Sequence, residues 1–156
     1  MALFKLTDQV WWGNMNAPVD HRGEYKSILD VSGIYNSDNN HYRLSQIDPT
    51  TAVFRVYANE DHPATCEFAM VLDGIAEAVR NGKLFPLLVH CMAGQCRAPV
   101  TACYMAWHLS LDRTRRYADD LWARVLELGK DHGIDQRRLY SPSLRDIMHR
   151  CCREDV

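Results

Sequence analysis

The chain has 156 residues, 47% apolar and 24% charged, with a formal net charge of −2. That balance fits one globular domain over residues 1–156, with a core that needs no metal or disulfide staples. Near-neutral charge favours neither a nucleic acid nor an anionic membrane as default partner, and no apolar run approaches the ~18 residues of a spanning helix.

The first strand is expected over Gln9–Trp12, ended by Gly13, with a short helix near Pro18, since proline suits a first helical turn. Lys26–Val31 reads as a buried strand stopped by Ser32-Gly33. Residues 36–50, rich in Asn, Asp and Ser, read as irregular, and Ala52–Tyr57 as another strand. The period then changes. Phe68, Leu72, Ile75 and Val79 recur at helical spacing, with Thr65 as N-cap and Gly82 as stop. Leu84–Val89 is a continuous apolar run, as in a strand covered on both faces, although Pro86 within it conflicts with ladder donation. Pro99 is expected to open a helix through Leu109 that is apolar nearly all round and therefore buried. A further helix is expected over Thr114–Leu128, stopped by Gly129, and a last one from Ser141-Pro142 to Cys151. Strands alternating with helices predict an α/β domain with a small, mostly parallel central sheet flanked by helices.

The six cysteines are Cys66, Cys91, Cys96, Cys103, Cys151 and Cys152. They form no CxxC pair, so a structural zinc site is not expected. The N-terminus has no secretory pattern, which predicts a cytoplasmic protein with free thiols. The arginines Arg113, Arg115 and Arg116, like Arg137 and Arg138, read as solvated helix faces.

The chemistry is concentrated in His90-Cys91-Met92-Ala93-Gly94-Gln95-Cys96-Arg97-Ala98-Pro99, placed between a buried strand and a buried helix. A loop feeding a helix N-terminus aims main-chain N–H groups at one spot, and the helix dipole adds partial positive charge there. A tetrahedral phosphate fits such a nest, and Gly94 permits close approach of the backbone. Cys91 opens the loop and Arg97 closes it six positions later. The nest, the dipole and the guanidinium all favour a thiolate, so a depressed thiol pKa is expected. Arg97 can hold two phosphoryl oxygens bidentately, with a grip that tightens as charge develops on them. Phosphate, sulfate or vanadate should therefore bind the loop.

His90-Cys91-(five residues)-Arg97 resembles the signature of the protein tyrosine phosphatase superfamily. Its setting over residues 65–110 is similar to the dual-specificity branch. The run Cys91 to Val100, with Ala98-Pro99 after the arginine, looks most like the loop of the phosphatases of regenerating liver. The resemblance implies hydrolysis of phosphomonoesters through a phosphocysteine intermediate, no metal or other cofactor, and Cys91, Arg97 and a general acid as catalytic residues. It implies a phosphoprotein as the default partner, with phosphotyrosine and phosphoserine or phosphothreonine accepted. Phosphoinositides or RNA 5′-phosphates are the alternative substrates, and a weakly active phosphate- or partner-binding module of the same fold is the alternative role.

The family draws its acid from a loop roughly thirty residues before the cysteine. Asn59-Glu60-Asp61-His62-Pro63 occupies that place, and Asp61, thirty positions before Cys91, is the expected acid, with Glu60 as runner-up. Two departures stand out. Most relatives carry Ser or Thr where this chain has Ala98; that hydroxyl helps the sulfur leave the phosphoenzyme, so slow breakdown is expected here. Cys96 gives the Cys-x4-Cys-Arg spacing of low-molecular-weight phosphatases and is the expected redox partner of Cys91 in a reversible disulfide. The chain ends Cys151-Cys152-Arg153-Glu154-Asp155-Val156 without a prenylation box, so no membrane anchor is expected.

Overall fold

The structure is a computed structural model in which residues 3–32, 42–56, 66–91 and 97–134 are described. Five strands form one sheet: β1 (Phe4–Lys5), β2 (Val10–Gly13), β3 (Ser27–Asp30), β4 (Ala52–Arg55) and β5 (Leu87–His90). Among the described residues four α-helices accompany them: α1 (Ala17–Asp20), α2 (Cys66–Gly82), α3 (Arg97–Leu109) and α4 (Arg115–Asp131). The spatial order is β1-β2-β5-β3-β4. Only β1 is antiparallel, to β2; the other neighbours run parallel. This is the mixed α/β architecture expected from the alternation of periods.

β5 is central, and its apolar run follows from that position. Leu87 pairs with Val10 on one side and Ser27 on the other, so both edges of the strand are hydrogen-bonded. Its side chains alternate between two cores. Leu87 and Val89 join Val10, Trp12 and Leu29 under α2, α3 and α4. Leu88 faces the other way, with Trp11, Tyr25, Ile28, Tyr42 and Ile47. The Pro86 conflict disappears because the strand starts at Leu87; Pro86 lies before it and supplies a carbonyl that accepts from Lys26 N at 3.0 Å. β1 was not legible as a strand. It is two residues long, too short for a periodic pattern, and Phe4 is held by stacking on Trp12 with ring centroids 4.5 Å apart.

α3 is buried along almost its whole length, from Ala98 to Leu109, as its all-round apolarity requires. It starts at Arg97, two residues before the expected Pro99. Pro99 is still in the first turn, where a missing N–H removes no intrahelical bond. α4 starts at Arg115; Thr114, expected as its first residue, is its N-cap, the hydroxyl accepting from Tyr117 N at 3.2 Å.

One of the two expected glycine stops is displaced. α2 ends at Gly82, as expected, and Lys83 takes the left-handed conformation with φ +52. Leu84 N then reaches back to the Val79 carbonyl at 3.0 Å. Gly82 is also a tight fit: a Cβ there would meet Leu84 Cγ at 3.0 Å. α4 passes Gly129 and ends at Asp131; Gly133, at φ +75, supplies the left-handed residue. Thr65 and the expected helix Ser141–Cys151 lie outside the described residues. No helix among the described residues is long and apolar enough to cross a membrane.

Candidate active site

His90 is the last residue of β5 and Cys91 follows it; Arg97 is the first residue of α3. The fold thus puts Cys91 at the carboxyl edge of the central strand and Arg97 at the N-terminal end of the most buried helix. Open parallel sheets present ligand sites at that edge, where strand order reverses about a central strand. Here the chain enters β5 between β2 and β3.

Register puts Cys91 and the anchor of the Arg97 head group at the ends of adjacent strands. Asp30 on β3 pairs with His90 on β5, and Val31 N donates to the His90 carbonyl at 2.9 Å. Ser32 continues the chain beyond β3 past this pair, as Cys91 continues it beyond β5. The Arg97 Nη1 donates to the Ser32 carbonyl oxygen. Cys91 is buried, 2% exposed. Ala98 is fully buried.

Beneath Cys91 lies a buried polar cluster. His90 is fully buried, and its Nδ1 is 3.3 Å from the Cys91 carbonyl oxygen. Its Nε2 is 2.9 Å from the Tyr42 hydroxyl, with the two rings edge to face at 5.4 Å. Asp30, 6% exposed, has Oδ1 3.9 Å from His90 Nε2 and Oδ2 3.8 Å from Arg55 Nε. Burial, with the Asp30 charge acting the same way, pushes the Tyr42 hydroxyl far above the ordinary tyrosine range. Tyr42 therefore stays protonated and can donate to His90 Nε2, which leaves Nδ1–H to point at the Cys91 carbonyl.

The structure places His90 and Cys91 at the end of β5 and Arg97 and Ala98 at the start of α3. Asp61 and the loop residues Met92, Ala93, Gly94, Gln95 and Cys96 lie outside the described residues, as do Glu60 and His62. Asp30, Ser32, Tyr42 and Arg55 were missed in the sequence. Tyr42 sits in a stretch read only as irregular. Asp30 did carry a signal: an acid inside the apolar run Ile28-Leu29-Asp30-Val31 has to find partners when buried. Among the described residues no group of three or more His, Cys, Asp or Glu could hold a metal ion.

No family model matches the sequence, and a search of curated proteins finds no match. Solved structures do match. A mutant form of Tk-PTP superposes with a TM-score of 0.68 at 13% identity, over 96% of this chain and 93% of that one. OH1 from the Orf virus, described as a tyrosine phosphatase with triple substrate specificity, gives 0.62 at 15% identity, over 94% and 83%. Human DUSP28 gives 0.63 at 14% identity, over 96% and 91%. The strand order, the placement of Cys91 and Arg97 at one sheet edge, and these superpositions agree: the chain has the fold of the tyrosine and dual-specificity phosphatases.

Proposed function

We propose that this protein is a cysteine-dependent phosphatase that hydrolyses phosphomonoesters through a phosphocysteine intermediate. The observation that supports the reading is the junction itself: Cys91 directly follows the central strand, Arg97 begins the buried helix, and Arg97 is bonded to Ser32 beyond the end of the neighbouring strand. In the first step the Cys91 sulfur, as thiolate, attacks phosphorus. The P–O bond to the leaving group breaks, and Asp61 gives its proton to that oxygen. In the second step Asp61 takes a proton from water, the water oxygen bonds to phosphorus, the S–P bond breaks, and inorganic phosphate leaves. Arg97 stabilises charge on the non-bridging oxygens in both steps. No cofactor enters this scheme.

Phosphotyrosine and phosphoserine or phosphothreonine in proteins are the proposed substrates, in the cytoplasm. The loop carries no lysine or additional arginine between Cys91 and Arg97, which disfavours densely charged phosphoinositide head groups. One observation favours a second reading, a phosphate- or partner-binding module with weak turnover: Ala98 offers no hydroxyl to the departing sulfur.

Hydrolysis of a small aryl phosphate tests the proposal. Activity should be inhibited by vanadate and abolished in Cys91→Ser. Asp61→Asn should lower kcat by roughly 10²–10⁴-fold and remove the basic limb of the pH–rate profile. Full activity in Cys91→Ser would overturn the reading; loss of rate in Asp61→Asn with an unchanged profile would move the acid elsewhere, with Glu60 next.

A further inference from the structure

We propose that Asp30 is a positioning residue for Arg97, acting through the main chain of Ser32. The inference rests on the phosphatase reading above and adds to it a residue that never touches the substrate. Asp30 Oδ1 accepts the Ser32 main-chain N–H at 2.9 Å. The carbonyl of the same residue, Ser32, accepts from Arg97 Nη1. One carboxylate therefore holds the peptide group directly before the one whose carbonyl anchors the guanidinium, at Ser32, two residues beyond the last β3 residue and itself in a β-bridge. The groups facing Asp30 are Arg55 at the end of β4, His90 at the end of β5, the Ser32 segment itself and the Tyr42 hydroxyl, which feels its charge. Asp30 is 6% exposed.

The physical consequence concerns direction rather than charge. An arginine grips two phosphoryl oxygens only if its planar fork is held in register with them. If the Ser32 backbone shifts on loss of the Asp30 bond, its carbonyl no longer presents itself to Nη1 in the same way, and Arg97 loses the contact that sets its plane. A buried N–H left without its acceptor also costs about 1–3 kcal/mol, which favours such a rearrangement. A carboxylate is not required for the bond to Ser32; an amide oxygen at the same position serves.

The test compares Asp30→Ala and Asp30→Asn with the wild-type full-length chain, using inorganic phosphate and vanadate as competitive inhibitors of aryl phosphate hydrolysis, with thermal melting alongside. Asp30→Ala should weaken both inhibitors about tenfold or more. Asp30→Asn keeps an oxygen for Ser32 N–H and should restore their affinity to within about threefold. Rescue of anion affinity is the decisive readout, because a merely structural role would move the melting temperature and leave inhibition unchanged. If Asp30→Ala does not fold, Asp30→Leu fills the volume without an acceptor and is held to the same thresholds. Anion affinity unchanged in the acceptor-free variant, or lost as fully in Asp30→Asn, overturns the inference while the active wild type upholds the phosphatase reading. A wild type that neither hydrolyses the ester nor is inhibited by the anions overturns both.

Discussion

At Ala98 a single missing oxygen sets the expected pace of the reaction. The side chain lies buried in the first turn of α3, directly after Arg97. A serine at that place would offer a donor to the sulfur as the S–P bond breaks, and a hydrogen bond to a charged group contributes about 1.5–3 kcal/mol. Ala98→Ser should therefore raise steady-state turnover by about tenfold or more, without a matching change in the rate of the first step. Unchanged turnover would mean that dephosphorylation is not the slow step. His108 carries a second prediction at this scale. Burial, reinforced by the Arg113 guanidinium, holds its pKa below the ordinary imidazole value. Arg80 and Arg113 both donate to its carbonyl at 2.8 Å, and its Nε2 lies 3.2 Å from Asp73. The unfolded chain thus binds a proton here more readily than the folded one, so stability rises with pH across this window. Stability should fall as pH drops below about 6.5, and His108→Gln should flatten that slope in melting curves between about pH 5 and 7. An equal slope in the variant would assign the acid sensitivity to other groups.

Elements were legible where their pattern was long, and blurred at their ends. Leu72, Ile75 and Val79 gave α2, and Tyr117, Leu121 and Val125 gave α4, because burial on one face imposes a 3.6-residue period on the sequence itself. The ends obey local backbone geometry instead. Gly82 does end α2, close under Leu84, but the left-handed position falls to Lys83, a residue type that gives no such signal. A non-glycine residue in that conformation costs about 1 kcal/mol or more. Lys83→Gly should therefore stabilise the protein by roughly 0.5–1 kcal/mol in urea denaturation, with activity unchanged. Destabilisation would show that the Lys83 side chain makes a contact that outweighs the strain. The same reasoning explains β1: two residues held by one aromatic stack leave no period to read.

For the whole molecule, the loop signature and the alternation of elements sufficed to place Cys91 and Arg97 at one sheet edge. The sequence did not reveal how that edge is braced. Asp30, Ser32, Tyr42 and Arg55 come from separate segments, and only the pairing of β3 with both β4 and β5 assembles them around His90. Such a cluster is a property of topology, invisible to spacing along the chain. It also explains how polar groups can sit beside a buried core: those near Cys91 are partnered with one another rather than left in hydrocarbon. The proposed chemistry depends on a sulfur that accepts a phosphoryl group while the guanidinium steadies its oxygens. The most direct test is acid quenching of the enzyme during turnover of an aryl phosphate, followed by mass mapping of the peptide that contains Cys91. One phosphoryl group on Cys91, building up because Ala98 slows its release and depleted in Ala98→Ser, is the predicted result; sustained hydrolysis with Cys91 unmodified in both proteins would contradict the account.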